Sequence, residues 1–175
     1  MAKYFLDAGY YVGRALEYYA PLMDDTWIVY VFEPNDELGV EQTFEKFPFK
    51  INWIKKAVWT EDGEVEFRLA GRNDASHIDT IRDSVDRKIT VPCIDFSKFV
   101  AELPDDATIV CSMDIEGAEY PVLRKMLAEG TAKRLAVLDI EFHHRLLVGE
   151  DGATSSTLRQ QLEGEGVMVK LKLEL

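Results

Sequence analysis

Short apolar runs alternate along this chain with segments of helical periodicity, from its first residues to its last. Apolar runs rich in β-branched and aromatic residues predict buried strands. Strands that alternate with helices predict a mostly parallel, twisted sheet with helices on both faces. We therefore predict one α/β domain with a Rossmann-like sheet. The predicted strands span residues 3–7, 27–33, 51–59, 89–93, 108–114, 135–141 and 167–175, and the predicted helices span 13–20, about 36–47, 95–103, 119–130 and 154–163.

Residues 60–88 interrupt this alternation. The pair Asp62-Gly63 is typical of a hairpin turn, and Val65, Phe67 and Leu69 after it alternate with polar residues. This pattern predicts a half-buried strand that follows a tight turn. The stretch 70–88 is polar and predicts a loop.

Composition limits the classes of partner. The chain has 175 residues, of which 47% are hydrophobic, enough for a single domain with a core. Its formal net charge is -12, which disfavours nucleic acid and anionic membranes as partners. Cys93 and Cys111 lie in apolar runs without metal-ligand spacing, as in reduced proteins. With no signal-like leader and no apolar run of membrane-spanning length, we expect a cytoplasmic protein.

Carboxylates occupy the ends of four predicted strands. Asp7, Glu33, Asp114 and Glu141 each stand at the last position of an apolar run. Open parallel sheets bind their ligands beyond the carboxyl ends of the strands. The sequence therefore predicts an acid-lined ligand site at that edge of the sheet.

A glycine turn follows the first strand. Asp7, Gly9 and Gly13 form the pattern D-x-G-x-x-x-G, which differs from the G-x-G-x-x-G of dinucleotide sites and favours a cofactor without a pyrophosphate. Glu33 lies about 20 residues further on, the spacing of an acid that binds ribose hydroxyls. Together they predict an adenosine cofactor, although a structural turn and a solvated acid explain each feature separately.

The segment MDIEGAEY places three acids at a strand-to-helix turn. Asp114, Glu116 and Glu119 are costly there unless they are solvated, hydrogen-bonded or paired with charge. Capping of the following helix explains Glu119. It does not explain Asp114, which ends a buried strand and is therefore a candidate functional residue.

These segments resemble the motifs of one enzyme family. MDIEGAEYPVL is similar to the D-x-E-G-x-E signature of the FkbM-type S-adenosylmethionine-dependent methyltransferases. FLDAGYYVG and VFEPN resemble that family's first two motifs, KKAVWTEDGEVEF its third strand and hairpin, and VLDIEFHHR its next acidic strand end. The similarity runs from about Tyr4 to His144 in the family's order. It implies a class I methyltransferase fold over residues 1–175, S-adenosyl-L-methionine as cofactor, and methylation of an oxygen, often a sugar hydroxyl.

The resemblance also implies roles for individual residues. Asp7 and Gly9 would lie near the methionine part of the cofactor, Glu33 would bind its ribose, and Asp114 would face the reacting centre. The chain departs from the family at Tyr10-Tyr11, where Ala-Asn is usual, so either ring is expected to stack on the cofactor or to narrow its pocket. The expected cofactor-binding set is Asp7, Gly9, Tyr10, Tyr11, Gly13, Glu33, Ala57, Val58 and Asp114, with Ala57 and Val58 bordering the adenine.

A hydroxyl acceptor has to lose a proton, so a base is expected near the cofactor. We predict that Asp114, Glu141 and His143 form the catalytic group, with Glu116 a weaker candidate; histidine accepts protons readily near neutral pH. We predict no metal. A divalent ion shared by Asp114 and Glu141 stays an open alternative.

The last predicted strand is the only one that fits after Gly166, so the sheet is expected to lack the antiparallel strand that usually completes this fold. An exposed sheet edge invites pairing, and we expect a homodimer. The best-supported function is O-methylation of a sugar or related small acceptor. A non-catalytic cofactor-binding or interaction protein on the same fold is the alternative, and a nicotinamide oxidoreductase is disfavoured because G-x-G-x-x-G is absent.

Overall fold

The computed structural model of the protein describes residues 1–69, 77–78, 87–144 and 149–172. Ten strands and five α-helices lie in these ranges. The strands are β1 (Lys3–Ala8), β2 (Trp27–Phe32), β3 (Ile51–Ile54), β4 (Ala57–Trp59), β5 (Gly63–Leu69), β6 (His77–Ile78), β7 (Arg87–Asp95), β8 (Thr108–Met113), β9 (Leu135–Ile140) and β10 (Met168–Leu171). The helices are α1 (Arg14–Tyr19), α2 (Glu41–Phe44), α3 (Phe96–Ala101), α4 (Glu119–Ala128) and α5 (Gly152–Gly164).

Six strands form one all-parallel sheet in the order β10-β9-β8-β1-β2-β3. Strand β1 lies between β2 and β8, and its last five residues are buried. Successive side chains of a strand point to opposite faces, so Phe5 packs with Leu16 of α1, whereas Leu6 packs with Leu123 of α4. A sheet covered on both faces explains why its strands are nearly continuous apolar runs. The predicted fold class is confirmed.

A second, four-stranded sheet has the order β4-β7-β5-β6. It corrects two predictions. The run 51–59 is two strands, because β3 pairs with β2 while β4 pairs with β7. Asp62-Gly63 does not join two paired strands: β7 lies between β4 and β5, and its Cys93 is in register with Ala57 on one side and Gly63 on the other. A local turn signal carries no information about a partner strand some 30 residues away.

Most predicted helices are confirmed within a few residues, but the helix predicted near 36–47 is not continuous. Asn35 accepts a hydrogen bond from the backbone of Glu37 and caps a short 3-10 turn at Asp36–Leu38. Gly39 then adopts a left-handed conformation with φ 64°, which ends that turn before α2 begins. The side chains of Asp95 and Asp151 cap α3 and α5.

The sheet ends on β10, which pairs in parallel with β9. Among the described residues, all six strands of this sheet run parallel. The predicted loop 70–88 lies largely outside the described residues; where it is described, residues 77–78 and 87–88 belong to β6 and β7, which corrects that prediction. Residues 173–175 of the last predicted strand also lie outside the described ranges. None of the described helices has both the length and the apolar character needed to cross a bilayer.

Candidate active site

A cleft opens between the carboxyl ends of the parallel strands and the second sheet, and its empty space, open solvent included, is about 610 Å³. One wall follows β1 and β2, another belongs to β4 and β5, and the loop between β8 and α4 closes the third side. The lining residues are Gly9, Tyr11, Phe32, Glu33, Pro34, Leu38, Ala57, Val58, Phe67, Asp114, Ile115, Glu116 and Ala118.

Gly9 sits where two loops of the cleft approach each other. Its φ is 85°, and a Cβ atom there would lie 1.8 Å from the backbone oxygen of Asp114. Only glycine fits both the conformation and the space. The predicted glycine turn therefore has a defined purpose, which is to let the loop after β1 meet the loop after β8.

Glu33 is buried at the end of β2, with its carboxylate at the cleft. Its Oε2 accepts a hydrogen bond from the backbone N–H of Tyr11 at 2.9 Å, and its Oε1 accepts one from Asn35 at 2.8 Å. Burial raises the pKa of Glu33, and the two backbone donors counteract part of that rise. Each oxygen keeps acceptor capacity beyond the bond it already makes.

The two tyrosines of the glycine turn have different surroundings. Tyr11 lines the cleft and has φ 49°, a left-handed conformation rare for a tyrosine. Tyr10 is buried in the core, where its hydroxyl contacts Thr43 Oγ1 at 2.7 Å and its ring packs edge-on against Phe44. The expectation that both rings lie at the cofactor is corrected for Tyr10, whose apolar ring gains more from core burial. Gly13 also lies away from the cleft lining, against the Tyr10 ring.

The apolar wall of the cleft comes from the second sheet. Ala57 and Val58 of β4 and Phe67 of β5 line it together. Ala57 and Val58 were predicted to border the adenine, and they lie opposite the Glu33 wall. Phe67 was not predicted as a site residue, although its alternation with polar neighbours marked it as inward-facing.

The loop between β8 and α4 is held by Glu119, whose side chain is fully buried. Its Oε1 accepts a hydrogen bond from the backbone of Ile115 at 2.9 Å, and its Oε2 accepts one from Gly117 at 2.8 Å. Glu116 and Gly117 both have positive φ, at 52° and 102°. The loop is thus a tight turn in which one carboxylate accepts hydrogen bonds from two backbone donors, and it presents Asp114 and Glu116 to the cleft.

Four carboxylates surround His143 beside the cleft. Its Nδ1 lies 2.9 Å from Glu119 Oε1, and its Nε2 lies 3.7 Å from Asp114, 3.5 Å from Glu116 and 3.5 Å from Glu141. Asp114 and Glu141 come together because Met113 and Ile140, the residues before them, are partners in neighbouring strands. The three predicted catalytic residues therefore form one cluster.

From the sequence, His143 was expected to accept a proton near neutral pH, but its surroundings favour the protonated ring. Burial by itself would lower the pKa of His143, but its hydrogen bond to Glu119 and the nearby acids raise it to about 9. This raised pKa favours the cationic form of His143 at neutral pH, which argues against the residue as the base. Burial raises the pKa of Glu116 to about 7.

The comparison with protein families agrees with this geometry. The Methyltransferase FkbM domain matches residues 7–164, which include both walls of the cleft and the acid cluster. The chain belongs to the FkbM methyltransferase family. It is a methyltransferase by family, and the resemblance seen in its motifs is confirmed. The comparisons with curated proteins and with solved structures gave no match.

In this FkbM methyltransferase, Asp7 is buried beneath the cleft and is not among its lining residues. Among the residues that the structure describes, its Oδ2 has no hydrogen-bond partner, and neither has Oγ of Ser112, its partner in β8. Burial raises the pKa of Asp7 to about 7. Its expected role near the methionine part of the cofactor would be exerted through the glycine turn rather than by lining the cleft.

Besides Phe67, the sequence prediction missed the contacts of two charged residues, for different reasons. Glu119 belonged to a recognised motif, but a capping role explained it and concealed its contact with His143. Lys172 places its Nζ 3.6 Å from Asp114 Oδ2, at the far end of the chain. No local pattern of the FkbM methyltransferase sequence marks that contact, because it depends on β10 pairing beside β9.

Proposed function

We propose that this protein binds S-adenosyl-L-methionine in the cleft and transfers its methyl group to an oxygen of a sugar or related small acceptor. The observation that carries the proposal is the position of Glu33. A buried carboxylate that lines a cleft beyond the strand ends suits two neighbouring ribose hydroxyls. Family membership supports the methyl transfer itself.

The residues around the cleft fit the parts of this cofactor. Glu33 would hold the ribose, the apolar wall of Ala57 and Val58 would contact the adenine, and Gly9 leaves the backbone open to the methionine part. Tyr11 borders the same space with its ring. The bound cofactor supplies an activated methyl group, so the main tasks of the protein are positioning and exclusion of water.

Asp114 is the residue that we assign to the acceptor. It lines the cleft, about a third of its side chain is exposed, and it adjoins Glu141 and Glu116. Its carboxylate would orient the acceptor hydroxyl and take up its proton, either directly or together with Glu141. His143, held as a cation in the metal-free protein, would stabilise the negative charge that collects there.

Replacement of Glu33 should weaken cofactor binding. In Glu33→Ala, two ribose hydroxyls lose their acceptor, and we expect the affinity for S-adenosylhomocysteine to fall by roughly 1–3 kcal/mol in calorimetry. The backbone donors of Tyr11 and Asn35 also lose their acceptor, so the variant should unfold at a lower temperature. Asp36→Ala, which removes an exposed neighbouring acid, is the control and should change neither value. Unchanged affinity in Glu33→Ala would exclude the ribose role.

Replacement of Asp114 should affect the transfer step more than binding. For Asp114→Asn we expect kcat to fall by at least about 100-fold, because proton transfer at the acceptor loses its carboxylate. The dissociation constant of S-adenosylhomocysteine should stay near the wild-type value, since the ribose and adenine contacts are untouched. If kcat and affinity both match the wild type, Asp114 has only a structural role.

The acceptor class is tested by transfer of labelled methyl groups to a panel of glycans and small sugars. We expect label in at least one sugar hydroxyl and none in amine-only acceptors of similar size. Tight cofactor binding without transfer to any acceptor would instead favour the alternative, a non-catalytic cofactor-binding protein on this fold. Tyr11 is the observation behind that alternative, because its ring occupies part of the cleft wall.

Two further properties complete the proposal. Cys93 and Cys111 are buried free thiols, which supports a reducing compartment and a cytoplasmic location. Strand β10 is the edge of the sheet within the described residues, and Met168 and Leu171 on it are exposed. We propose that this edge pairs with a second copy of the chain, and sedimentation equilibrium would distinguish that homodimer from a monomer.

A further inference from the structure

His143 is oriented by a carboxylate that solvent does not reach. Its Nδ1 lies 2.9 Å from Oε1 of Glu119, whose side chain is fully buried and is also fixed by two backbone donors. This arrangement directs the opposite nitrogen, Nε2, toward Asp114, Glu116 and Glu141. Histidines that bind metals in proteins are held in the same way, with the second ring nitrogen donating to a carboxylate.

The distances on the Nε2 side suit a shared ion better than direct hydrogen bonds. Nε2 lies 3.5 Å from Glu141 Oε1 and 3.7 Å from Asp114 Oδ1. A charge-assisted hydrogen bond would be about 2.7–2.9 Å long. Two ligand atoms held about 2.1 Å from a tetrahedral ion lie about 3.4 Å apart. Asp114, Glu141 and His143 each offer one atom that could bind a metal ion, and these three atoms lie within 4.8 Å of one another.

The charge of the cluster also favours a cation. Four acids, namely Asp114, Glu116, Glu119 and Glu141, converge on this one imidazole. Lys172, the residue after β10, places its Nζ 3.6 Å from Asp114 Oδ2 and is the other basic group at the cluster among the described residues. The side chains of Asp114, Glu141 and His143 are 32%, 27% and 14% exposed, so an ion could enter from the cleft side.

We propose that Asp114, Glu141 and His143 bind one divalent transition-metal ion, of the class of Mn²⁺ or Zn²⁺, with Glu119 as the residue that positions His143. A mixed set of two carboxylates and one imidazole favours such an ion over Mg²⁺ or Ca²⁺, which prefer oxygen ligands alone. The sequence predicted no metal but left open a divalent ion shared by Asp114 and Glu141; the proposal takes up that alternative and adds His143 as a ligand. With the ion present, Asp114 would act on an acceptor hydroxyl through the ion. Binding of the ion does not depend on methyl transfer, so the proposal goes beyond the proposed function.

The test is a metal titration of the full chain after treatment with a chelator. Calorimetry with Zn²⁺ and electron paramagnetic resonance with Mn²⁺ should each show one ion per chain, and Mg²⁺ and Ca²⁺ should bind more weakly. His143→Gln and Glu141→Gln should each weaken Mn²⁺ binding at least 10-fold. Glu119→Gln, which keeps the side-chain shape but disturbs the orientation of His143, should weaken it by about 10–100-fold. His144→Gln is the matched control and should keep wild-type affinity.

Three outcomes would overturn the proposal: no stoichiometric binding at millimolar Mn²⁺ or Zn²⁺, wild-type affinity in both His143→Gln and Glu141→Gln, or a preference for Mg²⁺ over Mn²⁺. Circular dichroism of each variant identifies any loss that comes from unfolding. Titration of S-adenosylhomocysteine into the metal-depleted protein tests the proposed function separately from metal binding. The proposed ribose and adenine contacts lie on Glu33, Ala57 and Val58, not on the metal ligands.

Discussion

Gly9→Ala should destabilise the protein by about 2–5 kcal/mol and should abolish measurable cofactor binding. An L-residue with φ 85° carries a strain of about 1–2 kcal/mol. The new methyl group would also lie 1.8 Å from the backbone oxygen of Asp114, so that the loops after β1 and β8 have to separate. Such overpacking against backbone typically costs about 1–3 kcal/mol more. Urea denaturation and calorimetry with S-adenosylhomocysteine measure the two effects.

Gly130→Ala separates strain from collision. Gly130 also has a positive φ, at 69°, but a Cβ atom there would meet nothing within 4 Å. Gly130→Ala should therefore lower the free energy of unfolding by only about 1–2 kcal/mol, the strain of a left-handed alanine, and should leave cofactor binding intact. Equal free energies of unfolding for the two variants would show that the approach of Gly9 to Asp114 is not tight.

Asp7→Asn should abolish a fall of about 4 kcal/mol in the free energy of unfolding that the wild-type protein shows as the pH rises from about 4 to about 7. Burial raises the pKa of Asp7 from 3.8 to about 7 in the folded chain. Between these values the folded state holds one proton more than the unfolded state, so the free energy of unfolding falls as the pH rises, by about 1.4 kcal/mol per unit. The loss is complete above pH 7. Asparagine cannot ionise and therefore removes this contribution.

The measurement is the free energy of unfolding of cofactor-free protein at several pH values from 4 to 8. The difference in free energy of unfolding between Asp7→Asn and the wild type should rise by about 4 kcal/mol, in favour of the variant, from pH 4 to pH 8. Asp106→Asn removes the same charge from an exposed position and serves as the control, with a profile that follows the wild type. Parallel profiles for wild type and Asp7→Asn would mean that Asp7 is ionised in the folded protein throughout.

The parallel sheet was predictable because each of its central strands is buried on both faces and is therefore continuously apolar in sequence. The position of the site followed from the same argument, since Glu33 and Asp114 follow β2 and β8, the two strands that flank β1, at the ligand-binding edge of that sheet. Gly9 was predictable because a strand end followed by glycine marks a close backbone approach.

Other features depend on contacts distant in sequence. Tyr10 and Tyr11 are adjacent and chemically identical, yet one is in the core and the other is on the cleft, because the backbone turns between them. The order of the second sheet depends on β7 entering between β4 and β5, which no local turn signal reports. The protonation of His143 depends on Glu119, 24 residues earlier, and on how deeply both are buried.

The most direct test of the central claim is titration of the wild-type protein with S-adenosyl-L-methionine and with S-adenosylhomocysteine by isothermal calorimetry, with NAD as the comparison ligand. The cleft beside Glu33 predicts saturable binding of both compounds at one site per chain and no heat with NAD. If neither compound gives heat or a thermal shift while the protein is folded by circular dichroism, the cleft is not a site for this cofactor.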